Sequence, residues 1–169
     1  VLREADRLDA RRIFVIASGT LSRTTDVIDQ LRAVLGGRFA GLRDQMAAHT
    51  PRIDVVEAAN AARDAGADLI LTVGGGSVTD GGKMVVLCLA NDISDPDKLD
   101  DCRTEVAEDG TQQQPDLAAP SVRMVTVPTT LSAGEFNFSA GCTDTIRHVK
   151  HSYRHRMLAP VSIILDPAI

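Results

Sequence analysis

Cysteine is scarce: Cys88, Cys102 and Cys142 are the only three in 169 residues, and no two form a CxxC pair. That spacing excludes a zinc knuckle and gives no disulfide framework, so the thiols read as reduced and incidental. Long apolar runs are missing too. None reaches the roughly 18 residues of a membrane-crossing helix. The opening VLREADRLDA lacks the basic-then-apolar order of a secretory leader. A cytoplasmic protein is expected, with neither a membrane nor a nucleic acid as partner. No internal repeat or low-complexity segment is present. Hydrophobic residues at 44% and charged residues at 24% are ordinary for a soluble globular chain, which argues against disorder.

The length suits one well-buried domain and is short for two, so residues 1–169 are read as a single domain. The chain opens on Val1 rather than methionine and stops at Ile169 after an apolar run, as a piece of a longer protein would. Its net charge of −5 argues against a phosphate-bearing ligand until its distribution is considered. Between Asp92 and Ser121 nine acids face two bases, a local balance of −7 that leaves about +2 on the remainder.

Strands and helices alternate over the first half. Ile13 to Ala17 is a short apolar run that predicts a buried strand. Ile28, Leu31 and Leu35 fall on one helical face, and Gly36-Gly37 ends the pattern. RFAGLRD is a weaker strand. Thr50 is placed to cap the next helix, which Pro51 opens and Gly66 closes, with Val55, Ala59 and Ala62 on one face. ADLILTV is the clearest strand, apolar throughout as when helices cover both sheet faces. A largely buried helix follows, carrying Val78, Val85 and Leu89. The acidic stretch reads as an exposed excursion with one short helix in its middle. VRMVTVP restores a strand, Phe136 and Phe138 alternate as in a hairpin, and VSIILDP is a final strand stopped by proline. This order predicts an α/β fold, a mostly parallel sheet with helices on both faces. Ligands of such folds sit at the carboxyl ends of the strands.

At one of those ends lies VGGGSVTDGGK, residues 73–83. Three glycines between a strand and a helix leave amide groups open to an anion, and the helix behind adds free donors and a partial positive charge. A diphosphate suits such a turn, although a ligand-free tight connection would use the same glycines. Two common phosphate patterns fail. A P-loop would need glycine at Ser77 and a hydroxyl at Met84; GxGxxG laid on Gly74 and Gly76 would need glycine at Thr79. Ser77 and Asp80 match a capping box. That does not account for Gly81 and Gly82, each costing about 0.8 to 1 kcal/mol in a helix interior, so something must approach closely there.

GGGSVTDGGK resembles the GGGSxxDxxK motif of the iron-containing, or group III, alcohol dehydrogenases, and VPTTLSAGE resembles their PTT segment. That segment is similar to the shorter form of the maleylacetate reductases. The stretch TDTIRHVKHSYRHRMLAPVSIILDP resembles the acid turn, basic strand and LDP end of the same family. The likeness spans nearly the whole chain and implies a dehydroquinate-synthase-like fold: a Rossmann-like NAD(P)-binding domain here and a helical C-terminal domain outside this chain. It implies NAD or NADP as cofactor, with Gly74, Gly75, Gly76 and Ser77 at the pyrophosphate, Asp80 and Lys150 toward the nicotinamide, and Thr129 and Thr130 on a second cofactor loop. Ser18 stands where NAD-specific members carry an Asp for the adenosine ribose, which leaves NADP open. The Fe²⁺ or Zn²⁺ ligands, one Asp and three His, belong to the other domain, and Asp166 matches only the LDP strand end. The family often forms dimers or larger assemblies, so a homo-oligomer is an expectation of the same kind.

From the residues themselves, Thr129 and Thr130 could give hydroxyls to phosphate or ribose, or merely cap a turn after Pro128. Glu135 reads as solvent-facing rather than loop-orienting. His148, His151 and His155 lie among Arg147, Lys150, Arg154 and Arg156, and that added positive charge makes a solvated basic segment a better reading than a metal site. The expected function is the nucleotide-binding part of an oxidoreductase moving hydride between a nicotinamide cofactor and a small alcohol or carbonyl substrate. A maleylacetate reductase and a non-catalytic nucleotide-binding module are the alternatives.

Overall fold

The computed structural model describes residues 1–169. In chain order its elements are α1 (Leu2–Arg7), β1 (Ile13–Ala17), α2 (Gly19–Thr24), α3 (Val27–Leu35), β2 (Phe39–Arg43), α4 (Arg52–Asp64), β3 (Leu69–Gly74), α5 (Gly76–Ala90), β4 (Glu105–Val106), β5 (Gln112–Gln113), β6 (Arg123–Pro128), β7 (Ser139–Asp144), β8 (Val149–Arg154) and β9 (Ser162–Ile163). Five strands form a parallel sheet in the order β2-β1-β3-β6-β9. Successive strand residues point to opposite faces. Phe14, Ile16, Ile70 and Met124 therefore join α4 and α5 in one core, while Ile13, Val15, Leu71, Val73 and Val125 face Ala5 of α1 and Ile28 and Leu35 of α3 in a second. Each fully buried side chain of this size contributes about 1.5 to 3 kcal/mol. The α/β fold with helices on both faces is thus present.

β1 carries β2 on one side and β3 on the other, so the chain reverses its direction of winding between β1 and β3. That reversal opens a crevice beyond their carboxyl ends, the usual ligand position of doubly wound sheets. α5 starts within two residues of β3, with Gly75 as its N-cap. Gly81 and Gly82 mark where protein, not ligand, comes close. A Cβ at Gly82 would collide with Thr72 Cγ2 and lie 2.6 Å from Met124 Sδ; one at Gly81 would lie 2.6 Å from Met46 Cε. α5 rests directly on the sheet through these bare positions.

Several local expectations are corrected. The hairpin pairs β7 with β8 from Ser139↔Arg154 to Asp144↔Val149, and Phe136 lies before it in a 3₁₀ turn, Gly134–Phe136. The alternating phenylalanines misled because Lys83 pins that turn: its Nζ donates to Gly134 O (2.6 Å) and Ser139 O (2.7 Å). The histidine-rich stretch is strand β8, so His151 and His155 share no helical face. Thr50 caps nothing; its hydroxyl donates to Ser77 O at 3.1 Å and its carbonyl accepts from Thr143 N at 2.9 Å. The final strand is only Ser162–Ile163.

The acidic excursion is exposed only in part. Its helical segment, Pro96–Cys102, comes at the start rather than in the middle and buries Leu99 and Cys102. Asp100 there meets Arg52 Nη2 at 2.9 Å and Arg147 Nη1 at 2.8 Å, while Asp144, at the hairpin corner, lies 3.2 Å from Arg52 Nη1. Asp144 also accepts from the amides of Ile146 (2.9 Å) and Arg147 (3.0 Å). Arg52 is 3% exposed, so α4, the excursion and the hairpin are joined through one buried guanidinium. The Arg52 hydrogen bond, aided by Arg147 and opposed by partial burial, holds the Asp100 carboxyl down at about 2 against an ordinary 3.8.

Two outcomes follow from these contacts. Gly82→Ala gains about 0.8 to 1 kcal/mol of helix propensity but suffers about 1 to 3 kcal/mol of overpacking, so urea unfolding should register a net loss. Gly37→Ala, with open space around the added methyl, should stay within about 0.5 kcal/mol of the parent. An acid whose folded value is depressed stabilises above its unfolded value and ceases to do so as pH falls through the folded one. Melting temperature should therefore drop as pH falls from 3.8 to about 2. Asp100→Asn should start lower at neutral pH and drop less across that window.

Candidate functional site

Three strand ends meet at the crevice. After β1, Ser18 N donates to Val73 O at 2.8 Å; after β6, Thr129 N donates to Gly74 O at 3.0 Å. The turn Gly74–Gly76 lies between them. None of these three glycines has a positive φ, so left-handed geometry is not what requires them. Closeness is. A Cβ on Gly75 would sit 3.0 Å from Thr130 Cγ2, one on Gly76 3.0 Å from Ser132 Cβ, and one on Gly74 2.8 Å from Val78 Cγ2.

The first turn of α5 is not capped by a side chain. Val78 N and Thr79 N both donate to Gly75 O at 3.0 Å, and the amides of Gly76 and Ser77 find no acceptor in the protein. Two free donors at the positive end of a 15-residue helix, with no side chain from the glycines beside them, are the donors that an anion seat requires. The expected capping box is absent because its members are engaged elsewhere. Ser77 Oγ accepts from His49 N at 3.1 Å, and Asp80 Oδ2 accepts from Gly141 N at 3.1 Å.

Beside this turn opens a polar cleft of about 630 Å³, walled by the His49–Thr50 segment, the start of α5, the Ser132–Ser139 loop and the β7–β8 hairpin. Gly76, Ser77, Asp80 and Lys150 line it, together with His49 and His151. Gly141 makes room for Lys150, whose Nζ would lie 2.9 Å from a Cβ there. The predicted residues thus fall into two groups joined at the glycine turn: Gly76, Ser77, Asp80 and Lys150 in the cleft, and Ser18, Gly74, Gly75, Thr129 and Thr130 along the strand ends.

Lys83 holds the cleft in shape from beneath. Its ammonium is fully buried, donates to Gly134 O, Ser139 O and Asn137 Oδ1 (3.0 Å), and lies 3.7 Å from Asp80. Three donations use every hydrogen of the charged form. Burial lowers its pKa, and the Asp80 charge opposes that shift. Glu135 is 5% exposed and accepts weakly from Ser132 Oγ at 3.5 Å, so it orients the loop, contrary to the solvent-facing reading. No group of three or more His, Cys, Asp and Glu side chains could hold a metal ion.

Sequence reasoning missed His49, Thr50 and Asn137. His49 and Thr50 both have positive φ, 64° and 55°, and nothing in their identity foretells this, least of all for a β-branched threonine. Asn137 did leave a signal. Its Oδ1 accepts from Ser139 N at 2.9 Å, the Asx turn that Asn-x-Ser favours.

Comparison with known proteins agrees with this architecture. Residues 1–167 match the family described as iron-containing alcohol dehydrogenase. Dehydrogenase FUM7 of Gibberella moniliformis is 34% identical over 168 residues, which is 98% of this chain and 39% of that protein. Maleylacetate reductase from Rhizobium sp. strain MTP-10005 superposes with a TM-score of 0.72 at 26% identity, covering 98% of this chain and 37% of that one. Sulfoacetaldehyde reductase from Bifidobacterium kashiwanohense, solved in complex with NAD+, shares the fold at a TM-score of 0.80 and 15% identity, covering 99% of this chain and 42% of that one. The chain therefore spans about two fifths of the length of such relatives. No helix is long and apolar enough to cross a membrane. Matched along almost its whole length and built on the same sheet, this chain belongs to the iron-containing alcohol dehydrogenase family.

Proposed function

We propose that residues 1–169 are the NAD(P)-binding domain of a cytoplasmic oxidoreductase that moves hydride between a nicotinamide dinucleotide and a small alcohol or carbonyl compound. The observation that carries this is the pair of unclaimed amides, Gly76 and Ser77, at the head of α5 beside the β1/β3 crevice. Gly75 and Gly76 bring no side chain of their own over these amides, and Thr130 and Ser132 of the next loop pack beside the turn.

In this reading Gly74, Gly75, Gly76 and Ser77 hold the diphosphate, and Thr129 and Thr130 offer hydroxyls from the next strand end. One arm of the dinucleotide enters the polar cleft, where Asp80 and Lys150 orient the nicotinamide; the other passes over Ser18. When bound, the cofactor supplies the carbon that gives or takes hydride. The chain's own work is to bind and orient it: Lys83 fixes Asp80 and the 134–139 loop, and the hairpin closes one wall. No donor set among these residues fits Fe²⁺ or Zn²⁺; on the family relationship alone their ligands are assigned to a helical C-terminal domain outside these residues, and no step is derived through them. A homo-oligomeric assembly is proposed on the family relationship alone.

A second reading, reduction of maleylacetate, has a specific observation behind it: the short PTT segment together with the 26% identity to the Rhizobium enzyme over 98% of the chain. Assay of the complete protein with maleylacetate and with simple alcohols separates the two.

Calorimetric titration of the complete protein with NADH and NADPH should give heat for at least one of them. Gly75→Val should abolish it, with an unfolding transition that is lowered but still cooperative, because the added side chain presses on Thr130. Absence of heat from both cofactors would overturn the dinucleotide reading, and binding without hydride transfer to any alcohol or carbonyl compound would favour a non-catalytic nucleotide-binding module.

A further inference from the structure

Arg154, the last residue of β8, touches three segments at once. Its backbone pairs with Ser139 of β7. Its guanidinium lies over the Phe138 ring, 5.2 Å from the ring centre, and its Nη1 donates to Gln112 Oε1 of β5. Phe138 belongs to the Ser132–Ser139 loop and β8 to the hairpin, so one side chain joins both cleft walls without being part of the cleft lining. Gln112 adds the acidic excursion as a third member. β4 and β5 pair as Glu105↔Gln113 and Val106↔Gln112, so Gln112 sits in a closed two-strand turn rather than on a loose tail. The excursion meets β8 a second time where Thr104 N donates to Ser152 O at 2.8 Å.

What these contacts support is the strand that carries Lys150 and His151 into the cleft. The other ties of the hairpin reach β7 and the corner: Asp80 accepts from Gly141 N, and Arg52 meets Asp144. β8 is packed inward through Tyr153, which is fully buried, and is held from outside by Thr104 and Arg154. A two-stranded hairpin is marginal by itself, so its angle to α5 depends on such contacts. Gln112 is a neutral acceptor, and Arg154 Nε is buried with no acceptor at all. A planar cation set on an aromatic face and one amide oxygen fixes position rather than neutralising charge.

We propose that Arg154 is a positioning residue for the nicotinamide arm of the dinucleotide, and that the β4–β5 hairpin is a brace acting through it. Together they set the gap between Ser139 and Ser152, both in the cleft lining, and with it the place of Lys150. The other arm, over Ser18, touches none of these segments. The inference rests on the dinucleotide reading above.

The test compares the whole cofactor with ADP, which lacks the nicotinamide arm, on the complete protein. Arg154→Ala should weaken binding of whichever of NADH and NADPH the parent takes by about three- to tenfold, the range of one hydrogen bond, in calorimetric titration. Its affinity for ADP should stay that of the parent. General loss of folded protein would remove sites for both ligands alike, so the ratio of the two affinities isolates positioning. Gln112→Ala should reproduce the loss, the double variant should be no weaker than Arg154→Ala alone, and Gln112→Glu, which keeps the acceptor, should bind as the parent does. Gln112 is exposed, so its variants decide the question even where Arg154→Ala fails to fold. An unchanged ratio in these variants would overturn the proposal while leaving the dinucleotide reading intact. So would a loss in Arg154→Ala with none in Gln112→Ala, since the guanidinium would then be meeting the cofactor directly. Where the parent binds neither dinucleotide, the dinucleotide reading falls and the brace with it.

Discussion

The close approach of backbone to backbone where β3 passes into α5 sets the terms for everything nearby. Gly82 lets the helix lie on Thr72 and Met124, Gly81 admits Met46, Gly74 makes room for Val78, and Gly75 and Gly76 let the next loop pack against the turn. None of these five glycines needs an unusual φ; each is required because a methyl group would have nowhere to go. The helix axis is thereby fixed relative to the sheet. Its first amides, Gly76 and Ser77, are left with no acceptor in the protein, which is the structural cost of the arrangement.

Two buried cations carry that order outward. Arg52 binds α4 to the acidic excursion and the hairpin corner through Asp100 and Asp144, and Lys83 binds α5 to the loop before β7. A buried pair is weak as net stabilisation, yet removing one partner costs about 3 to 5 kcal/mol because a charge is left uncompensated. Their effect here is geometric. Both walls of the polar cleft, the Ser132–Ser139 loop and the hairpin, are held to α4 and α5 by side chains, to which the hairpin adds the main-chain bond from Thr143 N to Thr50 O. The charge imbalance of the chain acquires a local meaning as well: part of the acidic excursion is consumed by Arg52, Arg103 and Arg147 instead of spreading over the ligand face.

The elements that were legible are those whose burial is periodic. Ile13–Ala17, Leu69–Gly74 and Arg123–Pro128 are apolar runs because helices cover both faces, and the glycine turn stands out because three bare residues in succession are rare without a reason. What escaped detection depends on partners distant in sequence. Phe136 and Phe138 have a strand's alternation, but Lys83, some fifty residues earlier, bends that segment into a turn. Ser77 and Asp80 have a capping box's spacing, but His49 and Gly141 claim them. The basic residues around His151 are largely solvated, as the sequence suggested, and what it did not show is that pairing with β7 makes the same strand a cleft wall.

By itself the sequence determined the α/β class, the parallel strands and the position of the bare glycine turn, since period and glycine placement are local properties that burial enforces directly. Tertiary structure alone decided which of Gly81, Gly82 and Ser77 serve packing and which amides stay free. It alone brought Asp80, Lys150 and His49 to one cleft. Those outcomes depend on where a helix comes to rest on a sheet and on which buried charges find each other, and neither is written in any single stretch of the chain.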